Sequence, residues 1–273
     1  MVRRRAVIRG LGFGLGAAMA PYAAPTFAVG GASAGDPRLV VVILRGGMDG
    51  LAAVAPYGDG HYESARHGIA LDKPGRAGGV LELDGFFGLH PNLTNLHAMY
   101  GRKELLVAHG VASPYRERSH FDAQNVLELG LGAPHVAKQG WLSRALPLIT
   151  SDKRDPEEYA IALGQSVPLI LRGPHSVGSW APDRIPDPDE DTWARIKALY
   201  LDDAFLGPKL EAALMADEIA GATAAKRGRP RGNPMRVVVE ASARFLSHVS
   251  GPRVAVFESN GWDTHANQGM SQG

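Results

Sequence analysis

The chain has 273 residues, with 29 Lys and Arg against 28 Asp and Glu, a balance that leaves no strongly charged face for nucleic acid or an anionic membrane surface. Cysteine is absent, which excludes disulfides, thiolate metal ligands and a cysteine nucleophile, so any metal must sit on His, Asp, Glu or hydroxyl oxygen. With 45% apolar residues the chain is long enough to bury a substantial globular core.

Residues 1–36 read as an export signal. Arg3-Arg4-Arg5 precedes the Gly/Ala-rich apolar stretch Gly10–Ala24 and the A-x-A pattern Ala32-Ser33-Ala34. Arg4-Arg5-Ala6-Val7-Ile8-Arg9 resembles a twin-arginine signal, with an ordinary general-secretion signal as the alternative. The expected partner is the twin-arginine export machinery and the expected location periplasmic or secreted. The apolar run is short and broken by glycine, so no integral membrane span is expected after signal removal.

The remainder, 37–273, reads as a single α/β domain. Leu39–Leu44 is an unbroken apolar, β-branched run ending in Arg45, Gly46 and Gly47, which predicts a fully buried parallel strand that delivers Asp49 to the carboxyl edge of a sheet. That edge is where open α/β sheets bind ligands. Residues 48–90 are dense in Gly, Pro, Asp and Tyr and read as a long loop system, with Val80–Leu83 alternating like a short edge strand. A helix from Pro91 to Gly101 and a strand over Glu104–Val111 would complete a parallel βαβ unit with the first strand.

Ser119 at an N-cap, with Asp122 three residues on, starts a helix that stops near Gly130. A second helix spans Trp141–Ile149. Tyr159–Leu163 and Val167–Leu171 read as strands compatible with a hairpin. Helices are expected over Thr192–Tyr200, from Asp203 to Thr223 with Pro208 at a first turn or kink, and over Met235–Val249. Residues 224–232 read as a flexible basic loop. A last buried strand, Arg253–Glu258, delivers Asp263 and His265 after Gly261.

Three strand regions thus send Asp49, then Ser119 with His120 and Asp122, then Asp263 with His265 toward one edge. Such oxygen and imidazole sets suit a divalent Zn, Mn or Mg ion, and a serine at a helix N-terminus beside the ion is a candidate nucleophile. Each residue also has a plainer role available: Asp49 as a turn acid, Ser119 and Asp122 as helix caps. His90, His97 and His109 read as core or rim histidines. A metal-free serine hydrolase is the weaker alternative, because no Gly-x-Ser-x-Gly elbow is present.

Leu44-Arg45-Gly46-Gly47-Met48-Asp49-Gly50-Leu51, His90-Pro91-Asn92-Leu93, Arg118-Ser119-His120-Phe121-Asp122-Ala123-Gln124 and Gly261-Trp262-Asp263-Thr264-His265 together resemble the signatures of the bacterial domain-of-unknown-function family 1501. The resemblance implies an alkaline phosphatase/sulfatase-like fold, a mostly parallel sheet sandwiched by helices. It also implies an exported metal-dependent hydrolase-like protein acting on phosphate or sulfate esters, small-molecule or polysaccharide. Ser119 would be catalytic, Asp49, Asp263 and His265 metal ligands, and His120, Asp122, Arg45 and Arg118 a supporting shell. The family's later glutamate-phenylalanine-glycine-arginine and aspartate-histidine-glycine motifs do not occur in the sequence, so the resemblance further implies a missing C-terminal part and an incomplete metal site. The alternative is a non-enzymatic envelope or periplasmic binding protein that keeps the fold and binds through the 48–90 loops.

Overall fold

A computed structural model describes residues 37–149, 159–182, 189–200, 203–221, 234–264 and 268. The export signal 1–36, the basic loop 224–232 and His265 lie outside the described residues. In chain order the elements are β1 (Leu39–Leu44), the short helical turn α1 (Gly50–Ala53), β2 (Val54–Ala55), α2 (Tyr62–Arg66), β3 (Leu81–Glu82), β4 (Gly88–Leu89), α3 (Thr94–Gly101), α4 (His120–Leu129) and α5 (Trp141–Ile149). They continue with β5 (Ala160–Leu163), a 3₁₀ turn at Leu169–Leu171, β6 (Gly178–Trp180), α6 (Glu190–Tyr200), α7 (Leu206–Ala220), α8 (Pro234–Ser247) and β7 (Val254–Ser259).

The central sheet has the order β1-β7-β5-β6, and all three of its pairings are parallel. Helices cover both faces, which confirms the α/β class and the mostly parallel sheet. On one face Leu142 and Leu146 of α5, with Ile170 and Leu171, pack against Ile43, Ala160, Ala162, Val254 and Val256. On the other, Ala241, Phe245 and Leu246 of α8 and Ala220 of α7 cover Ile161, Leu163, Trp180, Ala255 and Phe257. The Trp180 indole N–H donates to Asp217 Oδ1 at 3.0 Å, which ties β6 to α7.

Local chemistry explains the helix ends. Ser119 Oγ accepts the Asp122 N–H, and Gly130 closes α4 in the left-handed conformation at φ 63°. A Cβ at Gly130 would stand 2.8 Å from Trp141 Cβ, so glycine there also lets α5 approach. Asp203 Oδ1 accepts the Phe205 and Leu206 N–H groups at 2.8 Å at the start of α7, and Pro208 falls in its first turn. Asp189 caps α6, accepting the Thr192 N–H at 2.8 Å.

Four expectations are corrected. β1 is an edge strand, with Leu39, Val40 and Val42 exposed, because among the described residues its one partner is β7 rather than strands on both sides. Glu104–Val111 has no regular structure, so the βαβ unit with β1 is absent. No hairpin follows β5: Pro168 lacks an N–H and leads into the 3₁₀ turn, while β5 pairs with β7 and β6. The 48–90 region is more than loops, since β2, β4 and β3 form an antiparallel sheet over a small core of Ala55, Tyr62, Leu71 and Val80. β3 lies at its edge, as the alternation at Val80–Leu83 predicts.

The buried stripe of α5 gives a direct test. Leu146→Ala should destabilise the protein by about 2–5 kcal/mol in urea unfolding, because Leu146 is fully buried between α5 and the sheet. Leu148→Ala, at a position 85% exposed, should change stability by less than about 0.5 kcal/mol.

Candidate functional site

The carboxyl ends of β1 and β7 lie side by side, because the two strands pair in register from Leu39 with Val254 to Leu44 with Ser259. Arg45 continues β1: its N–H donates to the Ser259 carbonyl at 2.7 Å, and its carbonyl accepts the Trp262 N–H at 3.2 Å. Its guanidinium reaches sideways to Glu128 and Gln124 of α4 and to Glu258 of β7. Glu128 is buried and uses its second oxygen to accept the Ile170 N–H at 3.0 Å. Arg45 therefore fixes where α4 sits above the strand ends.

Two glycines then let three segments meet. Gly46 and Gly47 have φ values of 110° and 92°, a region that L side chains rarely adopt. A Cβ at Gly46 would stand 2.7 Å from Asp263 Cβ, and one at Gly47 would stand 2.8 Å from His120 Nδ1. The absent side chains allow His120, the first residue of α4, to face the segment after β7. His120 Nε2 lies 3.5 Å from Asp263 Oδ1, with both side chains partly exposed.

Asp49 is occupied differently from its expected role. Its Oδ1 accepts the Leu51 and Ala52 N–H groups at 3.0 and 3.2 Å, capping α1. Its Oδ2 accepts Arg66 and, at 2.9 Å, Gln268 Nε2. Gln268 Oε1 in turn accepts the Thr264 hydroxyl at 2.8 Å, so Asp49 is linked to the same segment that carries Asp263. Burial pushes the Asp49 carboxyl up, but the bonds from Gln268 and Arg66 and the charge of Arg66 outweigh it and hold the group below the usual aspartate range.

The remaining candidates separate. Ser119 Oγ caps α4 through the Asp122 N–H at 3.2 Å. The Asp122 carboxylate accepts from His135 Nε2 at 2.9 Å and from the Tyr115 hydroxyl at 3.2 Å, and the His135 bond foremost lowers its pKa. Arg118 is exposed before the cap. The edge thus gathers His120, Asp263 and Asp49, with Ser119 adjoining, while Asp122 turns to partners of its own. Arg66, Gln268, Tyr115 and His135 were not foreseen. No spacing links Arg66 to Asp49, since their contact depends on how the 48–90 region closes.

These residues test the expected metal. All the described donors around Asp49 point at its two oxygens, which leaves its carboxylate saturated rather than open to an ion. Among the described residues no three His, Asp or Glu side chains converge as a metal-holding group. Of the expected ligands, His265 lies outside the described residues, Asp263 faces His120, and Asp49 is engaged by Arg66 and Gln268. Compared with protein-family models, curated proteins and solved structures, the chain shows no match.

The Asp49 contacts imply a pH dependence. A carboxyl with a depressed folded pKa adds stability that is present above its unfolded value, about 3.9, and is lost as pH falls through the folded value. Asp49→Asn should lower stability by about 1–2 kcal/mol at pH 7, with the gap to wild type closing below about pH 4, measured by urea unfolding across pH. Arg45→Met should cost about 3–5 kcal/mol, because it strands buried Glu128 without its cation, and the same unfolding assay checks it.

Proposed function

We propose that the β1/β7 strand-end edge is the reactive site of an exported hydrolase-like protein that acts on phosphate or sulfate esters. The observation that carries this reading is the His120–Asp263 approach of 3.5 Å at the carboxyl edge of a parallel sheet, beside the start of α4. An imidazole oriented by a carboxylate on a solvent-open edge is suited to move a proton between water or a hydroxyl and an ester. In this reading His120 takes the proton of the attacking group and Asp263 stabilises the imidazolium that forms. Ser119, at the positive end of the ten-residue α4, is the hydroxyl nearest in the chain to that base, and the helix end favours an anionic ester group.

The motif resemblance supplies the ester class and the export by the twin-arginine route, both of which remain part of the proposal. No helix among the described residues is long and apolar enough to cross a membrane.

The test is hydrolysis of 4-nitrophenyl phosphate and 4-nitrophenyl sulfate by the full chain, with and without added zinc or manganese. His120→Gln should reduce kcat by about 10²–10⁴-fold, and Asp263→Asn should reduce it in the same direction. Absence of turnover by the unaltered protein under every one of these conditions would overturn the hydrolase reading.

A second reading, a non-enzymatic binding protein, draws on the structural duties of the expected chemical groups: Asp49 caps α1, and Ser119 caps α4. Under it the antiparallel β2-β4-β3 unit presents the binding loops. Ligand binding would then survive Ser119→Ala and be lost on shortening the loop between β3 and β4.

A further inference from the structure

Among the described residues β1 is bonded on one side only. Its inner ladder runs to β7, from the Leu39 N–H on the Arg253 carbonyl at 2.9 Å to the Arg45 N–H on the Ser259 carbonyl at 2.7 Å. Successive strand residues point opposite ways, so the N–H and C=O groups of Val40, Val42 and Leu44 face away from β7. Val40 and Val42 are each 45% exposed, whereas their register partners Ala255 and Phe257 are covered by the α7/α8 layer. Leu39–Leu44 contains no charge and no proline, the usual protections of an open edge.

A second stretch of the chain has the complementary deficiency. Glu104–Val111 carries Leu105, Leu106, Val107 and Val111, a strand-forming composition, yet it has no regular structure. Leu106 is 54% exposed and Val111 79% exposed. Among the described residues, none of the backbone groups of Leu105–Val111 enters a backbone hydrogen bond. The segment is held through its His109 side chain, which contacts the Val54 carbonyl at 3.2 Å and lies 4.6 Å from the Phe87 ring centre.

The connection matches as well. The segment follows α3 and leads through 112–118 to Ser119, and His120 sits against Gly47 just past the carboxyl end of β1. A strand, a helix and a parallel strand is the ordinary connection for adjacent positions in such a sheet.

We infer that Glu104–Val111 pairs in parallel with the open side of β1 in a closed state of the protein, giving the strand order 104–111, β1, β7, β5, β6. In that state the outward groups of Val40, Val42 and Leu44 bond to the segment, and its apolar side chains lie beside Val40 and Val42. In the described structure His109 instead holds the segment on the small antiparallel sheet. The closed state also governs the candidate site, since 112–118 is the only chain between the docking strand and Ser119.

Residue-resolved amide hydrogen exchange of the full chain tests this directly. The N–H groups of Val40, Val42 and Leu44 should exchange at least ~10-fold more slowly than unprotected amides. A Leu106→Pro/Val107→Pro double variant removes donors on both sides of the segment and should abolish that protection, leaving the β7-bonded amides of Val41 and Ile43 protected. Leu106→Asp, at an exposed position, should weaken it in the same direction. Unprotected Val40, Val42 and Leu44 beside protected Val41 and Ile43 in the unaltered chain would overturn the inference. Protection that survives the double variant, or that rises with protein concentration, would overturn it in favour of a second copy on the edge.

Discussion

The arrangement of the strand ends depends on one guanidinium. Arg45 leaves β1 at the point where the strand stops, and it meets Glu258 from the neighbouring strand and Glu128 with Gln124 from the helix above. Removing such groups from water is costly, and a half-buried ion pair offsets that cost only when its geometry is well satisfied. Here it is extended on both sides, since Glu128 also takes the Ile170 N–H and the Arg45 backbone is bonded to Ser259 and Trp262. The result is orientation more than stability: α4 is held so that its first residue, His120, overlies the Gly46-Gly47 bend.

Close approach is the second requirement, and it is met by what is missing. With any side chain at Gly46 or Gly47 the segments bearing Asp263 and His120 would have to withdraw. Asp49 then acts across the same bend as a tie, joining α1, Arg66 and Gln268 through four accepted hydrogen bonds. Groups that attract notice as chemical candidates are therefore divided here between two tasks. Asp49 and Ser119 are engaged in holding chain ends, while His120 and Asp263 stand partly open to solvent.

The first and last strands of the described chain are neighbours, and this gives β1 a particular vulnerability. Among the described strands β1 pairs with β7, and pairing across so long a separation is slow compared with local helix formation. An apolar strand without edge protection is exposed to unwanted pairing. The α7 and α8 layer is built from more local contacts and covers the β7 and β5 face of the sheet.

The amino-acid sequence by itself determined the local events: β1, the Ser119 cap and Gly130 stop of α4, the bounds of α5, and the approximate extents of α6, α7, α8 and β7. Each is written in short-range chemistry, in apolar periodicity, a capping oxygen, or a glycine where the backbone turns left-handed. Only the tertiary structure decided which strands are neighbours, because pairing partners are set by packing across distant segments rather than by the composition of either strand. For that reason β1 proved an edge and Glu104–Val111 lay unpaired despite a strand-like composition. The same limit applied to the site. The sequence brought out Asp49, Ser119, His120 and Asp263 as polar residues after glycines, but the saturation of Asp49 by Arg66 and Gln268 arises only when separate loops close on one another.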